Sequence, residues 1–281
     1  MNTNDKKFID IDAVFESKNP GLYKYMPGFI LAYLKRIVHQ DQLNLFIKTK
    51  GHLHDFEFAA AIIEEFRVKV CVIGLERLEK SGGIIYAANH PLGGLDGIAL
   101  LHVLGMVRRD VKFIVNDILM QVKNLGGIFI GVNKLAKNTK EVLDGIDSYY
   151  ASDGGMLIFP AGLVSRLQDG IIADLAWNKS FIAKAKQHKR NIVPIHIAGR
   201  NTNFFYKLSY YRKKMGIKAN IEMLYLVDEM YKQFDHTITI TIGQTIPYQT
   251  FDSTHTDAEW AQKVKAHVYD LESNKDSIFR P

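Results

Sequence analysis

From Val68 onward, short apolar runs alternate with segments of helical period, and this alternation leaves the chain few possible folds. Val68–Ile73, Gly83–Ala88, Lys112–Val115, Gly127–Ile130, Gly155–Phe159 and Asn191–Ile197 read as strands, and Asn220–Val227 and Thr237–Ile242 as two more. In Thr237–Ile242 the residues alternate, isoleucine toward a core and threonine away from it. Pro194 lies inside a strand run, which points to an edge strand or a bulge. Gly97–Leu104, Asn138–Ala151, Lys179–His188 and Asp257–Leu271 read as helices. The expected fold class is α/β: a single domain with a mixed, mostly parallel central sheet flanked by helices, plus an N-terminal helical segment. Residues 1–64 are expected to form that segment, packing on or extending the core, and residues 65–281 the α/β domain. Within the segment, residues 1–20 are polar and expected to be loosely ordered or draped. Pro27–Gly28 then opens a helix with a wide apolar face through Val38, and Asp55–Phe66 is another helix.

At 281 residues, with 47% apolar and 23% charged residues, the chain can bury a sizeable core and has the charge content of a soluble protein. Its one cysteine, Cys71, lies in a strand-like run and reads as a buried structural thiol; disulfides and cysteine-based metal sites are excluded by the count. No run approaches the roughly 18 consecutive apolar residues of a spanning helix. Met1–Lys7 has no apolar signal core, so an intracellular chain that does not cross a bilayer is expected. The net charge of +6 suits an anionic lipid surface, an acidic carrier protein, a phosphorylated substrate or nucleic acid, and it is equally compatible with no such partner.

The turn Asn89–His90–Pro91–Leu92–Gly93–Gly94–Leu95–Asp96 joins the strand ending at Ala88 to the helix beginning near Gly97. A strand's carboxyl end and a helix's amino end face one crevice in α/β proteins. A histidine placed there can take a proton from an attacking hydroxyl or amine. A nearby aspartate can fix its tautomer and stabilise the charged ring.

Four segments follow in order: Asn89–His90 with Asp96; Gly126–Gly127–Ile128–Phe129–Ile130; Phe159–Pro160–Ala161–Gly162; and Val193–Pro194–Ile195–His196–Ile197. Together, over roughly residues 65–250, they resemble the four blocks of the glycerolipid (lysophospholipid) acyltransferase superfamily, the PlsC-like enzymes. The likeness is greatest to the bacterial hemolysin-like branch, whose members acylate lysophospholipids or lyso-aminolipids. The resemblance implies that His90 is the general base and that Asp96 orients it. The commoner family spacing places four residues between them. Here there are five, with a second glycine in the turn. If the likeness does not extend to that spacing, Asp96 is only a first-turn residue complementing the helix dipole. The resemblance makes Asn89, Gly93, Gly94, Phe159, Pro160, Gly162, Arg166 and Lys134 the substrate-binding candidates. The third block departs from the family's Phe-Pro-Glu-Gly by carrying Ala161, which puts a glycerol-phosphate acceptor in doubt. Its arginine comes late, at Arg166, where a bidentate clamp on phosphate or carboxylate and a solvated surface side chain are the two readings. Val132 stands where the second block's arginine is usual, and Lys134 or Lys137 would substitute for it. His196 reads as a packed strand histidine rather than a second base.

The implied reaction carries a fatty acyl group from an acyl thioester, on acyl carrier protein or coenzyme A, to a lyso-lipid hydroxyl, with no further cofactor and no metal. The Gly93–Gly94 amides are candidates for an oxyanion or phosphate. Ser165 lacks the flanking glycines of a hydrolase elbow, so direct transfer without an acyl-enzyme is expected. Because the acceptor lives in a membrane, peripheral association with an anionic surface at the inner face of the cytoplasmic membrane is expected. The Phe29–Val38 helix either lies in that interface, with Lys35 and Arg36 toward head groups, or packs its wide face on the core. Asn203–Lys214, aromatic and basic, is a second candidate for a membrane or a carrier protein. The main rival is a non-catalytic lipid or carrier-protein binder on a degenerate acyltransferase scaffold. A metal-dependent hydrolase using His90, Asp96 and Asp117 lacks the expected ligand spacing, and no nucleic-acid module accompanies the basic segment.

Overall fold

The computed structural model describes residues 7–18, 20–116, 119–132 and 140–281. The chain opens with α1 (Ile11–Lys18), α2 (Pro20–Tyr25), α3 (Gly28–Ile37), α4 (Gln40–Lys50) and α5 (Asp55–Glu65). Next come β1 (Lys69–Ile73), β2 (Ile84–Ala88), α6 (Gly94–Gly105), β3 (Val111–Asn116), β4 (Phe129–Val132), α7 (Lys140–Tyr150) and β5 (Gly155–Ile158). A small antiparallel hairpin, β6 (Arg166–Gln168) and β7 (Ile171–Ala173), leads to α8 (Ser180–Gln187), β8 (Asn191–Ala198) and α9 (Asn203–Lys214). The chain finishes through α10 (Leu226–Tyr231), β9 (Thr237–Ile242) and α11 (Asp257–Asp270).

The seven-stranded sheet runs β1-β9-β8-β2-β5-β3-β4. Every pairing is parallel except β8 with β9, so β1 and β9 run against the other five strands. This is the mixed, mostly parallel α/β sheet expected from the apolar runs. Alternation along β2 shows how it is covered: Ile84, Tyr86 and Ala88 join a core with α5 and α6, while Ile85 and Ala87 join one with α7, α8 and α11. A strand buried on both faces must be apolar throughout, as this one is.

Two local expectations change, and one open alternative is resolved. Residues 11–18 are helical rather than draped, tied down by the Ile11 amide on Gln40 Oε1 (2.9 Å) and by Asn44 against both main-chain groups of Ile9 (2.9 and 2.8 Å). Asn220–Val227 is no strand: Ile221–Tyr225 forms a 3-10 turn that runs into α10. One helical turn sends Glu222 and Leu226 to the same side, where Glu222 meets two buried arginines and Leu226 reaches Gly93. Pro194 marks a bulge, not an edge. β8 is the third strand of the sheet, with Ile195 opposite Ile242 but Ile192 bridging Ile246, which leaves one extra residue on the β9 side. Gly243 donates to the Pro194 carbonyl there at 2.8 Å. Cys71 lies on edge strand β1 and is half-buried.

Candidate active site

The carboxyl ends of β2 and β5 bring His90 and Phe159 together, their rings stacked at 4.1 Å. Phe159 is braced edge-on by Phe113 at 5.4 Å. His90 Nδ1 lies 2.9 Å from Asp96 Oδ2, which leaves Nε2 turned away from the carboxylate on a side chain that is 17% exposed. Asp96 is fully buried, and its Oδ2 also accepts the Leu92 and Gly93 amides at 2.8 and 3.0 Å. Burial pushes its pKa up from the ordinary carboxylate value, against the pull of His90 and of those two amides. The long spacing closes because Gly93, the residue before α6, takes φ +86°, a conformation that suits glycine. Asp96 then falls in the first turn of α6 and reaches back to the Gly93 amide. Gly94 has a negative φ and open space where a Cβ would stand.

The main chain of His90 is held from another quarter. Its amide donates to Asp174 Oδ1 (3.2 Å) and its carbonyl accepts the Ser165 amide (2.8 Å). Asp174 carries no motif. It stands 84 residues from His90, and only the folded chain brings it there. Ser165 is buried with its hydroxyl on Asp174 Oδ1 at 2.6 Å, not on the imidazole.

Other candidates take different places. Both ends of the Asn89 amide are bonded to the Ile197 backbone (2.9 and 2.7 Å), so this residue locks β2 to β8 instead of facing substrate. Arg166 is not an open clamp: only 7% exposed, it pairs with Glu222 at 3.1 Å and donates to the Val164 carbonyl at 2.7 Å. The solvated alternative fails with it. The Gly93 amide is engaged by Asp96, which removes it from the oxyanion candidates and leaves Gly94. Gly162, at φ +63°, turns the chain after Phe159, and the Pro160 carbonyl accepts the Asn178 amide at 3.0 Å. His196 is buried on β8 against the Tyr269 ring, and burial lowers its pKa. Lys134, Lys137 and Asp117 lie outside the described residues. Among the described residues, no three His, Cys, Asp or Glu side chains gather as a metal site.

A continuous aromatic surface leads away from the turn. Leu226 touches the position of a Gly93 Cβ, and its neighbour Tyr225 shares a hydroxyl contact of 2.8 Å with Tyr33 of α3. Tyr225 also meets Phe204 of α9 edge-on at 4.9 Å. Phe29 (74%), Ile30 and Tyr33 are exposed, so α3 does not pack its wide face on the core, and Tyr211 of α9 is exposed as well. Lys35 pairs with Asp12, and Arg212 turns inward to Glu222 at 2.7 Å, leaving Lys213 and Lys214 exposed. Among the described residues, no helix is long and apolar enough to cross a membrane.

Comparison with known proteins bears on this arrangement. The lyso-glycine lipid O-acyltransferase of Bacteroides thetaiotaomicron is 46% identical over 271 residues, covering 96% of this chain and 100% of the relative. The protein of the same name from Phocaeicola vulgatus is 45% identical over 271 residues, covering 96% of this chain and 97% of the relative. Among solved structures, the 1-acyl-sn-glycerophosphate (LPA) acyltransferase PlsC of Thermotoga maritima aligns with a TM-score of 0.47 at 16% identity, covering 87% of this chain and 93% of that one. The family described as Acyltransferase matches residues 13–277, which takes in the helices before the sheet as well as the His90 turn. Matched over nearly its full length by that family and by two relatives bearing its activity, the chain is an enzyme of the acyltransferase family.

Proposed function

We propose that this enzyme moves a fatty acyl group from an acyl thioester, on acyl carrier protein or coenzyme A, to a hydroxyl of a lyso-lipid. The acceptor proposed is a lyso-glycine lipid, the substrate class in the names of the two relatives. The observation that carries the reading is the 2.9 Å contact between His90 Nδ1 and Asp96 Oδ2 at the carboxyl edge of the sheet. Nε2 of the neutral ring accepts the acceptor's hydroxyl proton as its oxygen attacks the thioester carbonyl. The O–C bond forms, the C–S bond breaks, and the departing sulfur takes the proton back from the imidazolium. Such a base contributes roughly 10²–10⁴-fold. First-turn amides of a helix lack intrahelical partners, so the Gly94 end of α6 suits the developing oxyanion. No metal and no cofactor beyond the acyl donor are needed. The aromatic surface through Tyr33, Tyr225 and Phe204 seats the enzyme on the anionic inner face of the cytoplasmic membrane, where the acceptor lies.

The test is product formation by the purified protein with lyso-glycine lipid or lysophosphatidic acid, each offered with acyl carrier protein and coenzyme A thioesters. Transfer to the glycine lipid is expected, with His90→Ala slower by at least ~10². A folded His90→Ala protein with near wild-type turnover would remove the imidazole from the reaction.

A further inference from the structure

We propose that Asp174 is a positioning residue for acyl transfer, holding the main chain of His90 so that the imidazole meets both Asp96 and the acceptor hydroxyl. The proposal rests on the reading of His90 as the base. Asp174 is completely buried, just past the end of β7. Its carboxylate gathers three donors: the His90 amide at 3.2 Å, the Ser165 hydroxyl at 2.6 Å and the Trp177 indole N–H at 2.9 Å. A buried carboxylate is tolerated when donors surround it.

The residue is itself fixed from behind. Its amide donates to the Tyr269 hydroxyl at 2.8 Å, and its carbonyl accepts Lys265 Nζ at 2.6 Å, both from α11. Ser165 closes the loop by giving its amide to the His90 carbonyl at 2.8 Å. The two peptide groups of His90 are therefore referenced to α11 through Asp174 and to the β6 strand through Ser165. The side chain is referenced separately to α6 through Asp96. A base must be held to within about half an ångström of its productive position, and a residue between a strand end and a glycine turn has no regular ladder to fix it. Asp174 supplies that restraint without touching substrate.

Asparagine at 174 separates positioning from folding. Its carbonyl can still accept the His90 amide and the Ser165 hydroxyl, but its NH2 group then faces the indole N–H, donor against donor. Asp174→Asn is expected to lower kcat at least tenfold per folded molecule, with the acceptor KM within twofold of wild type. Adding Trp177→Phe removes the opposing donor and should return kcat to within about threefold, although the smaller ring lowers the melting temperature further. Recovery of turnover alongside a loss of stability is not what a purely structural residue gives.

A folded Asp174→Asn enzyme with wild-type kcat overturns the proposal, and so does a slow one that Trp177→Phe fails to restore. If neither folds, Ser165→Ala decides. It deletes the hydroxyl that steadies Asp174 Oδ1, and a severalfold kcat loss at unchanged KM is expected, whereas wild-type kcat overturns the proposal. His90→Ala run alongside tells the two readings apart: activity without the imidazole ends the base assignment, while an inactive His90→Ala beside a normal Asp174→Asn ends only this one.

Discussion

Asp96 Oδ2 lies 2.9 Å from His90 Nδ1, and that same atom accepts the amides of Leu92 and Gly93 at 2.8 and 3.0 Å. The other oxygen, Oδ1, is buried with no partner among the described residues. Asparagine here would place its carbonyl where three donors converge and its NH2 where Oδ1 now sits. The Nδ1–H tautomer of His90 then survives, and only the negative charge opposite the imidazolium is lost. Asp96→Asn should therefore cost well under the ~10⁴-fold that follows when a triad asparagine imposes the wrong tautomer; about 10–10²-fold in kcat is expected. Asp96→Ala, which releases the ring and both amides, should fall to the level of His90→Ala. The double variant should be no worse than either, as for groups acting as a unit. Steady-state kinetics of the four proteins check this.

The two turn glycines should part company. A Cβ at Gly93 would meet Leu226 Cδ2 at 3.1 Å on a backbone of φ +86°. Gly93→Ala is expected to lose about 1–3 kcal/mol of stability and most activity, because the cap on α6 moves with it. Gly94→Ala meets nothing within 4 Å and sits in the first helical turn. It should be as stable as wild type or up to about 1 kcal/mol more so. A fall in its kcat without a fall in melting temperature would place the reacting groups over that open face.

How much of this was legible in the sequence depends on how far apart the partners lie. β2, β5 and β8 announced themselves as apolar runs because both sheet faces are covered, and β9 by strict alternation. The His90–Asp96 pair, six residues apart, falls on one turn and was readable. Asp174 on His90 and Tyr269 on Asp174 are 84 and 95 residues apart and carry no local pattern. Arg166 shows the cost of that distance. Next to a motif it reads as a clamp, but Glu222, 56 residues later, turns it inward. Asn220–Val227 reads as a strand but folds as a turn for the same reason, since its partners Arg166 and Arg212 meet Glu222 only in the folded chain.

Arg166 is accordingly expected to behave as a stability residue. Glu222 is fully buried between Arg166 and Arg212, which reaches it at 2.7 Å. Removing the carboxylate leaves two guanidinium groups without their anion, and Glu222→Ala should lose about 3–5 kcal/mol. Arg166→Leu should lower the melting temperature while leaving the acceptor KM of the folded fraction unchanged. A large KM rise with no change in melting would restore the clamp.

Acid should weaken the fold through histidines that are buried or half-buried. Burial lowers the pKa of His102, His196 and His267 below the ordinary value. In the unfolded chain each takes up a proton near its usual pKa of about 6.5. The unfolded state therefore binds more protons between that pH and the lower folded values. Stability is full above about pH 7 and falls as pH drops through that window. Melting curves at pH 7.5, 6.5 and 5.5 should move steadily down. His267 Nε2 is buried beside the Phe279 ring with no hydrogen-bond partner among the described residues. His267→Leu should flatten that pH dependence, and removing the orphaned nitrogen should raise the neutral-pH midpoint by a few degrees, in line with about 1 kcal/mol.

The proposed membrane seating makes a demand on particular side chains. Phe29, Phe204 and Tyr211 are exposed on α3 and α9, and Phe204 joins Tyr33 through Tyr225. Burying one aromatic ring in the interface is worth about 1–2 kcal/mol, roughly tenfold in partition. Lys213 and Lys214 stand exposed on the same helix, and a basic residue near an anionic surface adds about 1 kcal/mol. The wild-type protein should float with vesicles containing anionic lipid, less with neutral ones, and less as salt is raised. Phe29→Ser combined with Tyr211→Ser should lower binding by roughly 10²-fold on both vesicle types. Lys213→Glu with Lys214→Glu should lower it on anionic vesicles alone. Wild-type protein that stays at the bottom of the gradient with either vesicle would remove the bilayer as the partner of this surface. The same substitutions tested against acyl carrier protein would then decide whether the donor docks there.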